Sequence, residues 1–463
     1  MNRFFGDKNF YRKVLTVAIP IMIQNGITNF VNMLDNIMVG QLGTDPISGV
    51  AIINQLMFVF NLCLFGALSG IGIFTAQYYG KGDHEGVRYT FRMQVITGII
   101  VILLGMFAFL KFGDAMVLKF LTEDNGGGSV EGTLHYAHLY MMFLMIEVIP
   151  FTAVQVYANT LRNTGETVVP MRAGIIAVII NLVGNYILIY GKLGAPALGV
   201  QGAAIATVLS RFVEFLVVAI WTHTHTERNK FIVGAYNNLF DVPGSMVVTI
   251  IPKALPLLLN ESLWSAGQTV LVRSYSLRGL SAVTALNICN TIANVFNVAF
   301  IAMGSAIAII LGQLLGAGKI QKAKEDSMRL CTFSVLMCVG TGSLLFLTSF
   351  FFPNIYNTTD EIRLLARHLI MAAGVFSPLY AFTNASYFTI RSGGRTGITF
   401  LFDCGFVWVI GIPFALFLTH CTGLDMLMIY ILVNATELLK SSIGYFMMRS
   451  GTWAVNLTEI TDK

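Results

Sequence analysis

The chain has 463 residues, 55% hydrophobic and 11% charged, with a formal net charge of +5 and a mean hydropathy of +0.72. A soluble globular domain carries about 25% charged residues, so this composition excludes a soluble enzyme or binding module and points to a chain embedded in a lipid bilayer. The positive balance comes from an uneven placement of Lys and Arg between loops, and no nucleic-acid partner is expected from it.

Bilayer hydrocarbon about 30 Å thick needs about 20 apolar residues per helix. Runs of that kind recur at 14–39, 47–78, 90–112, 133–158, 166–191, 197–222, 247–274, 280–312, 328–350, 360–392, 395–420 and 424–448. The fold class they predict is an all-α integral membrane protein with twelve transmembrane helices. The first run follows a polar segment and is too long for a signal peptide, so it is expected to stay in the mature chain. With the N-terminus inside, the tail and even-numbered loops hold 21 of the 29 Lys and Arg residues. Positive charge is retained on the cytoplasmic side during insertion, which predicts a multi-pass plasma (inner) membrane protein with both termini cytoplasmic.

Acids fall inside these apolar stretches at Asp35, Glu147, Glu214, Glu261, Asp403 and Glu437. Ionisable groups at membrane depth are costly, so each is a candidate for transport or relay. On the first helix Asn25, Thr28, Asn29, Asn32, Asp35 and Asn36 share one sector of roughly 120°, and in lipid such a face must turn inward. The fourth helix offers Glu147, Gln155 and Asn159; the fifth, Asn181 and Asn185. On the sixth, Glu214 follows Arg211 by three residues, the spacing of an intrahelical ion pair, and is expected to be structural. The seventh carries Glu261, Ser265 and Gln268 around Trp264, and the eighth Asn287, Asn290, Asn294 and Asn297. On the twelfth, Glu437 precedes Lys440 by three and reads as a second intrahelical pair. Glu147 has no partner evident in the sequence.

A buried carboxylate suits coupled transport because desolvation raises its pKa while a nearby cation lowers it again. Such a group exchanges a proton, a sodium ion or an organic cation. Asp35 and Glu261 are the preferred carriers, with Asn32, Gln268 and Asn294 lining the same cleft.

The two halves repeat. Gln77-Tyr78-Tyr79-Gly80-Lys81-Gly82 matches Gln313-Leu314-Leu315-Gly316-Ala317-Gly318 at an offset of 236, as Ala18 and Pro20 match Ala254 and Pro256. Leu161-Arg162-Asn163-Thr164-Gly165 meets Ile390-Arg391-Ser392-Gly393-Gly394 at an offset of 229, the slip falling where the first half carries Asn125-Gly126-Gly127-Gly128. Six spans per half make a parallel repeat: an N-lobe over 1–235 and a C-lobe over 236–463, pseudo-symmetric about the membrane normal, with the binding cavity expected between them.

The sequence holds no Walker A, G-x-S-x-G or H-E-x-x-H pattern, so energy for transport is expected from an ion gradient or from a partner not encoded here, and no enzyme activity is expected. An intramembrane enzyme needs paired carboxylates or a nucleophile with its base, and neither pattern is present. His223-x-His225 lacks further ligands for a metal, and Cys63, Cys289, Cys331, Cys338, Cys404 and Cys421 show no zinc or disulfide spacing. No cofactor is expected beyond a coupling ion, Na+ or H+.

Ala18-x-Pro20, Asp35 and Val39-Gly40-Gln41-Leu42-Gly43 resemble the opening of multidrug and toxic compound extrusion (MATE) transporters of the prokaryotic type. The Gln77 and Gln313 turns, Arg162-Asn163-Thr164-Gly165, Gly202-Ala203-Ala204-Ile205-Ala206-Thr207 and Asn260-Glu261-Ser262-Leu263-Trp264 extend the likeness over essentially the whole chain. The resemblance implies two six-helix lobes and export of cationic amphipathic compounds in exchange for sodium ions or protons. It implies an N-lobe cation site at Asp35, Asn181, Asn185 and Thr207, a sodium site in some relatives, although Asn185 is neutral where some of them place a second carboxylate. It implies a C-lobe site that pairs a helix-seven glutamate, here Glu261, with a helix-ten aspartate. Helix ten has no acid in its interior, and Asp403 on helix eleven is the nearest replacement.

The alternative is a flippase for lipid-linked oligosaccharide or peptidoglycan precursors. A pyrophosphate substrate calls for Arg and Lys in the cleft, whereas the interior charges here include acids without evident partners.

Overall fold

The computed structural model describes residues 4–120 and 129–461, with the side chains at 31–33, 36, 119–120 and 460–461 left out. The Asn125–Gly128 slip between the repeats therefore lies outside the described residues. Twelve long helices follow one another: α1 Lys8–Gly40, α2 Thr44–Lys81, α3 His84–Phe120, α4 Val130–Asn163, α5 Val168–Tyr190, α6 Val200–Thr224, α7 Gly244–Ser276, α8 Leu280–Gly316, α9 Ile320–Thr348, α10 Asp360–Ser392, α11 Thr396–Cys421 and α12 Met426–Ser450. Among the described residues, α2 to α12 are long and apolar enough to cross a membrane, and α1 adds a further helix of 33 residues. Side chains close the exposed helix starts: Ser129 Oγ accepts from Gly132 N at 2.8 Å at α4, and Asp425 Oδ1 from Met428 N at 3.1 Å at α12. Each satisfies a backbone donor with no partner inside its own helix.

The chain divides into two compact units. One comprises 23–75 and 84–248; the other comprises 1–22, 76–83 and 249–463. The change of unit within α1 comes two residues after Pro20, where the missing N–H interrupts the helical ladder. Val14, Val17, Ala18 and Ile21 of α1 are buried against Met303, Ile307 and Leu311 of α8, which fixes the start of α1 in the second unit.

In the first unit α6 packs against both α5 and α4. Small residues bring α5 and α6 close together: a Cβ on Gly202 would lie 2.5 Å from the Leu188 carbonyl oxygen. Without lipid-excluded hydrophobic drive, such close backbone packing is what holds membrane helices together. In the second unit α10 is central, packed on α8, α9 and α12. There the repeated Gln-x-x-Gly turns meet reciprocally. A Cβ on Gly80 would strike the Gln313 carbonyl oxygen, and one on Gly316 the Gln77 carbonyl oxygen. The Gln77 side chain is fully buried, donating to Ser392 O at 2.9 Å and accepting from Leu457 N at 2.7 Å. The repeated motif is thus a crossing that only glycine permits, tied to the chain's C-terminal strap.

Candidate functional site

A cavity of about 310 Å³ opens inside the first unit, lined from α1, α2, α4, α5 and α6. Asp35 reaches it from α1, and Asn185 Nδ2 donates to Asp35 Oδ1 at 2.6 Å. Asn181, one turn earlier on α5, lies between Asp35 and Thr207 of α6. The two asparagines sit on the α5 face that the Gly202 contact draws against α6, so the helix packing itself sets the site.

The Asn181 amide nitrogen faces Asp35, donating to the two carboxylate oxygens at 3.0 and 3.1 Å, and its oxygen accepts from Thr207 Oγ1 at 3.2 Å, so two amides together satisfy the carboxylate.

The same cavity holds an ion triad. Arg211 Nε approaches Glu147 Oε1 at 3.2 Å and Arg211 Nη1 approaches Glu214 Oε2 at 2.8 Å. The expected Arg211–Glu214 pair is present, and Glu147, which lacked a partner in the sequence, shares its guanidinium. Among the charged groups of the lining, three are acids (Asp35, Glu147, Glu214) and one is a base (Arg211), which leaves an acidic excess. Phe58, Tyr140 and Phe151 supply aromatic surface, with the Arg211 guanidinium 5.4 Å from the Phe151 ring centre.

Of the α1 stripe, Thr28 and Asp35 line the cavity, Asn29 is exposed, and the side chains of Asn32 and Asn36 lie outside the described residues. Sequence reasoning missed Asn54 and Asn61 of α2, which also line it. Their seven-residue separation, two helical turns, was the available signal.

The second unit contains a separate polar network. Tyr387 OH donates to Glu261 Oε1 at 3.4 Å, Asn260 Nδ2 donates to Tyr387 OH at 3.3 Å and to Asp403 Oδ2 at 3.0 Å, and Lys440 Nζ meets Asp403 Oδ1 at 2.8 Å. Glu261 and Asp403 are therefore joined through Asn260 and Tyr387. The expected Glu437–Lys440 pair is corrected: Lys440 turns across to α11, and Glu437 Oε2 is buried with no hydrogen-bond partner among the described residues. Asp403 sits in a π-helical stretch, Leu401–Gly405, and a second such stretch spans Val407–Gly411. Such wide turns re-aim side chains and recur at functional sites. Gln268 is half-buried on α7 and Asn294 exposed on α8, and neither hydrogen-bonds to this network.

His223 Nε2 pairs with Tyr157 OH at 3.0 Å, while His225 stacks on Trp221. Among the described residues no group of three or more His, Cys, Asp or Glu is arranged to hold a metal ion.

Two six-helix repeats, each with an acid network in an otherwise apolar bundle, define a membrane transporter. A family model described as MatE matches residues 20–187 and again 256–417, the two matches starting at the same 236-residue offset as the sequence repeat. The chain belongs to this family of MATE transporters. It is 23% identical to the probable multidrug resistance protein NorM of Thermotoga maritima, over 96% of this chain and 93% of that one. Its fold is similar to a crystal structure of MATE in the bent conformation, with a TM-score of 0.84 at 20% identity, covering 98% and 97% of the two chains. It is also similar to the outward-facing conformation of a multidrug resistance MATE family transporter of the MOP superfamily, with a TM-score of 0.82 at 20% identity and 96% of each chain covered.

Proposed function

We propose that this protein is a secondary active antiporter of the plasma membrane, with both termini cytoplasmic. It exports cationic amphipathic small molecules in exchange for protons or sodium ions by alternating access. The observation that carries this reading is Asp35 in its cavity: a carboxylate contacted by an amide and no ion-paired base among the described residues, in a lining with more acids than bases. Such a group takes up a coupling ion on one side of the membrane and yields its charge to an organic cation on the other.

Drug-sized ligands bind in pockets of about 300–1,000 Å³ that are mostly apolar with a few placed polar groups. The cavity reaches the lower end of that range, and its aromatic lining suits a cationic amphipath. The same acid excess disfavours the flippase reading, because a pyrophosphate would meet like charge. The relatives' names, multidrug resistance proteins, agree in substrate class.

The test is export of a fluorescent cationic dye from proteoliposomes under a sodium gradient or a pH gradient imposed separately, with Asp35→Asn and Glu261→Gln beside wild type. Wild type is expected to export under at least one gradient, and Asp35→Asn to fall to the protein-free rate while still inserting in the membrane. Undiminished export by Asp35→Asn would remove this site from the mechanism. Failure of both gradients to move the dye in wild type would send the question to a lipid-linked substrate.

A further inference from the structure

We infer that Lys440 is a tethered cation that permanently fills the acid site of the second unit, so that this half of the transporter binds no exchangeable ion until the lysine charge is removed. Asp403 has the surroundings of a cation site. Asn260 donates to it at 3.0 Å, Tyr387 is linked to Asn260, and Glu261 joins through Tyr387. Asn260 is 1% exposed and its Oδ1 has no hydrogen-bond partner among the described residues, so a buried carbonyl oxygen stands free of them within the group. These are oxygen ligands of the type a small hard cation takes.

The charge that would complete the set is already present on α12. Lys440 Nζ lies 2.8 Å from Asp403 Oδ1, with the side chains 8% and 18% exposed. Phe402 and Phe406 flank the ammonium at 5.5 and 5.8 Å from their ring centres, sheltering it from water. A buried pair of this kind is hard to break by mass action, because a free ion displacing the lysine would leave an ammonium stranded in an apolar bundle. In the first unit the corresponding contact to Asp35 is a neutral amide. Replacing Lys440 by glutamine would reproduce that arrangement: an amide donor on a carboxylate, with the charge position open.

The consequence for coupling rests on the Asp35 reading above, but the test does not. Full-length protein carrying Asp35→Asn, purified in detergent, is measured for binding of radioactive sodium ion by scintillation proximity. The comparison is with Asp35→Asn/Lys440→Gln, Asp35→Asn/Lys440→Arg, Asp35→Asn/Lys440→Gln/Asp403→Asn and Asp35→Asn/Asp403→Asn. The expected result is binding in the Lys440→Gln variant alone, abolished by adding Asp403→Asn and absent with Lys440→Arg, whose guanidinium keeps the charge in place. Two outcomes overturn the inference: a monodisperse Lys440→Gln variant that takes up no sodium, or sodium binding by Asp35→Asn itself that Asp403→Asn removes. The second arm uses no change at Lys440, so it decides even where the glutamine variant does not fold. Loss of dye export in Asp35→Asn is a separate readout, so failure of the antiport reading and failure of this one are distinguishable.

Discussion

Each half of the protein holds a half-buried aspartate that accepts a hydrogen bond from an asparagine amide: Asp35 from Asn185 at 2.6 Å and Asp403 from Asn260 at 3.0 Å. They differ in what else touches them. Asp35 has a second amide donor, Asn181, at 3.0 Å, whereas Asp403 has a lysine at 2.8 Å. The base of the first half, Arg211, is engaged by Glu147 and Glu214. That leaves Asp35 in an amide-lined setting while Asp403 is neutralised within the chain. The two units thus differ in the charge set beside their aspartates.

The largest way to break this contrast is Arg211→Met. It strands two carboxylates that are 6% and 4% exposed. Removing one partner of a buried ion pair costs about 3–5 kcal/mol, so a large drop in melting temperature is expected, reversed in part by adding Glu147→Gln and Glu214→Gln. A melting temperature unchanged in Arg211→Met would mean the triad does not hold the first unit together, and that Arg211 is available to Asp35.

Much of this contrast was legible from the residues. Apolar runs gave the helices, and the Gln-x-x-Gly repeat marks a close backbone crossing, which leaves a glycine in the sequence. Asp35, Asn181, Asn185 and Thr207 were indicated by the resemblance, and the first three also stood out as polar residues in apolar helices. Pairing was legible only within a helix. Arg211–Glu214 obeyed the i,i+3 spacing and formed; Glu437–Lys440 obeyed it and did not, because a closer acid from α11 competes for the lysine. Glu147 was silent for the same reason, its partner lying on another helix. Nor does helical periodicity foresee a π-helical stretch, which shifts the phase of α11 at Asp403.

Intermediate effects are expected from the asparagines. Asn260→Ala removes the donor to both Asp403 and Tyr387, and loss of a buried hydrogen bond to a charged group costs about 1–3 kcal/mol. The measurement is thermal melting of the purified protein, and Lys440 remaining on Asp403 keeps the loss moderate. Asn185→Asp sharpens the comparison in the other direction. It places a second carboxylate beside Asp35, so sodium should gain over protons, with on the order of tenfold tighter sodium binding, about 1.4 kcal/mol. The check is the sodium concentration for half-maximal dye export, and an unchanged value would show that the coupling ion does not sit between these two side chains.

The smallest effect is expected from Glu437→Gln. Helical spacing assigns Glu437 to Lys440, but the ammonium is held by Asp403 and Glu437 Oε2 has no hydrogen-bond partner among the described residues. If the Asp403 contact carries the neutralisation, removing the Glu437 charge leaves it intact, and stability should change by no more than about 1 kcal/mol, the ordinary scale of a point substitution. Transport should be unchanged too if, as proposed, the exchanging carboxylate is Asp35 in the other half. Melting and dye export measured on the same preparation decide it. A loss approaching that of Arg211→Met would mean that Lys440 divides its charge between two acids as Arg211 does. The halves would then share one design, a single base serving two carboxylates, and the difference between them would reduce to whether a further acid is left over beside it.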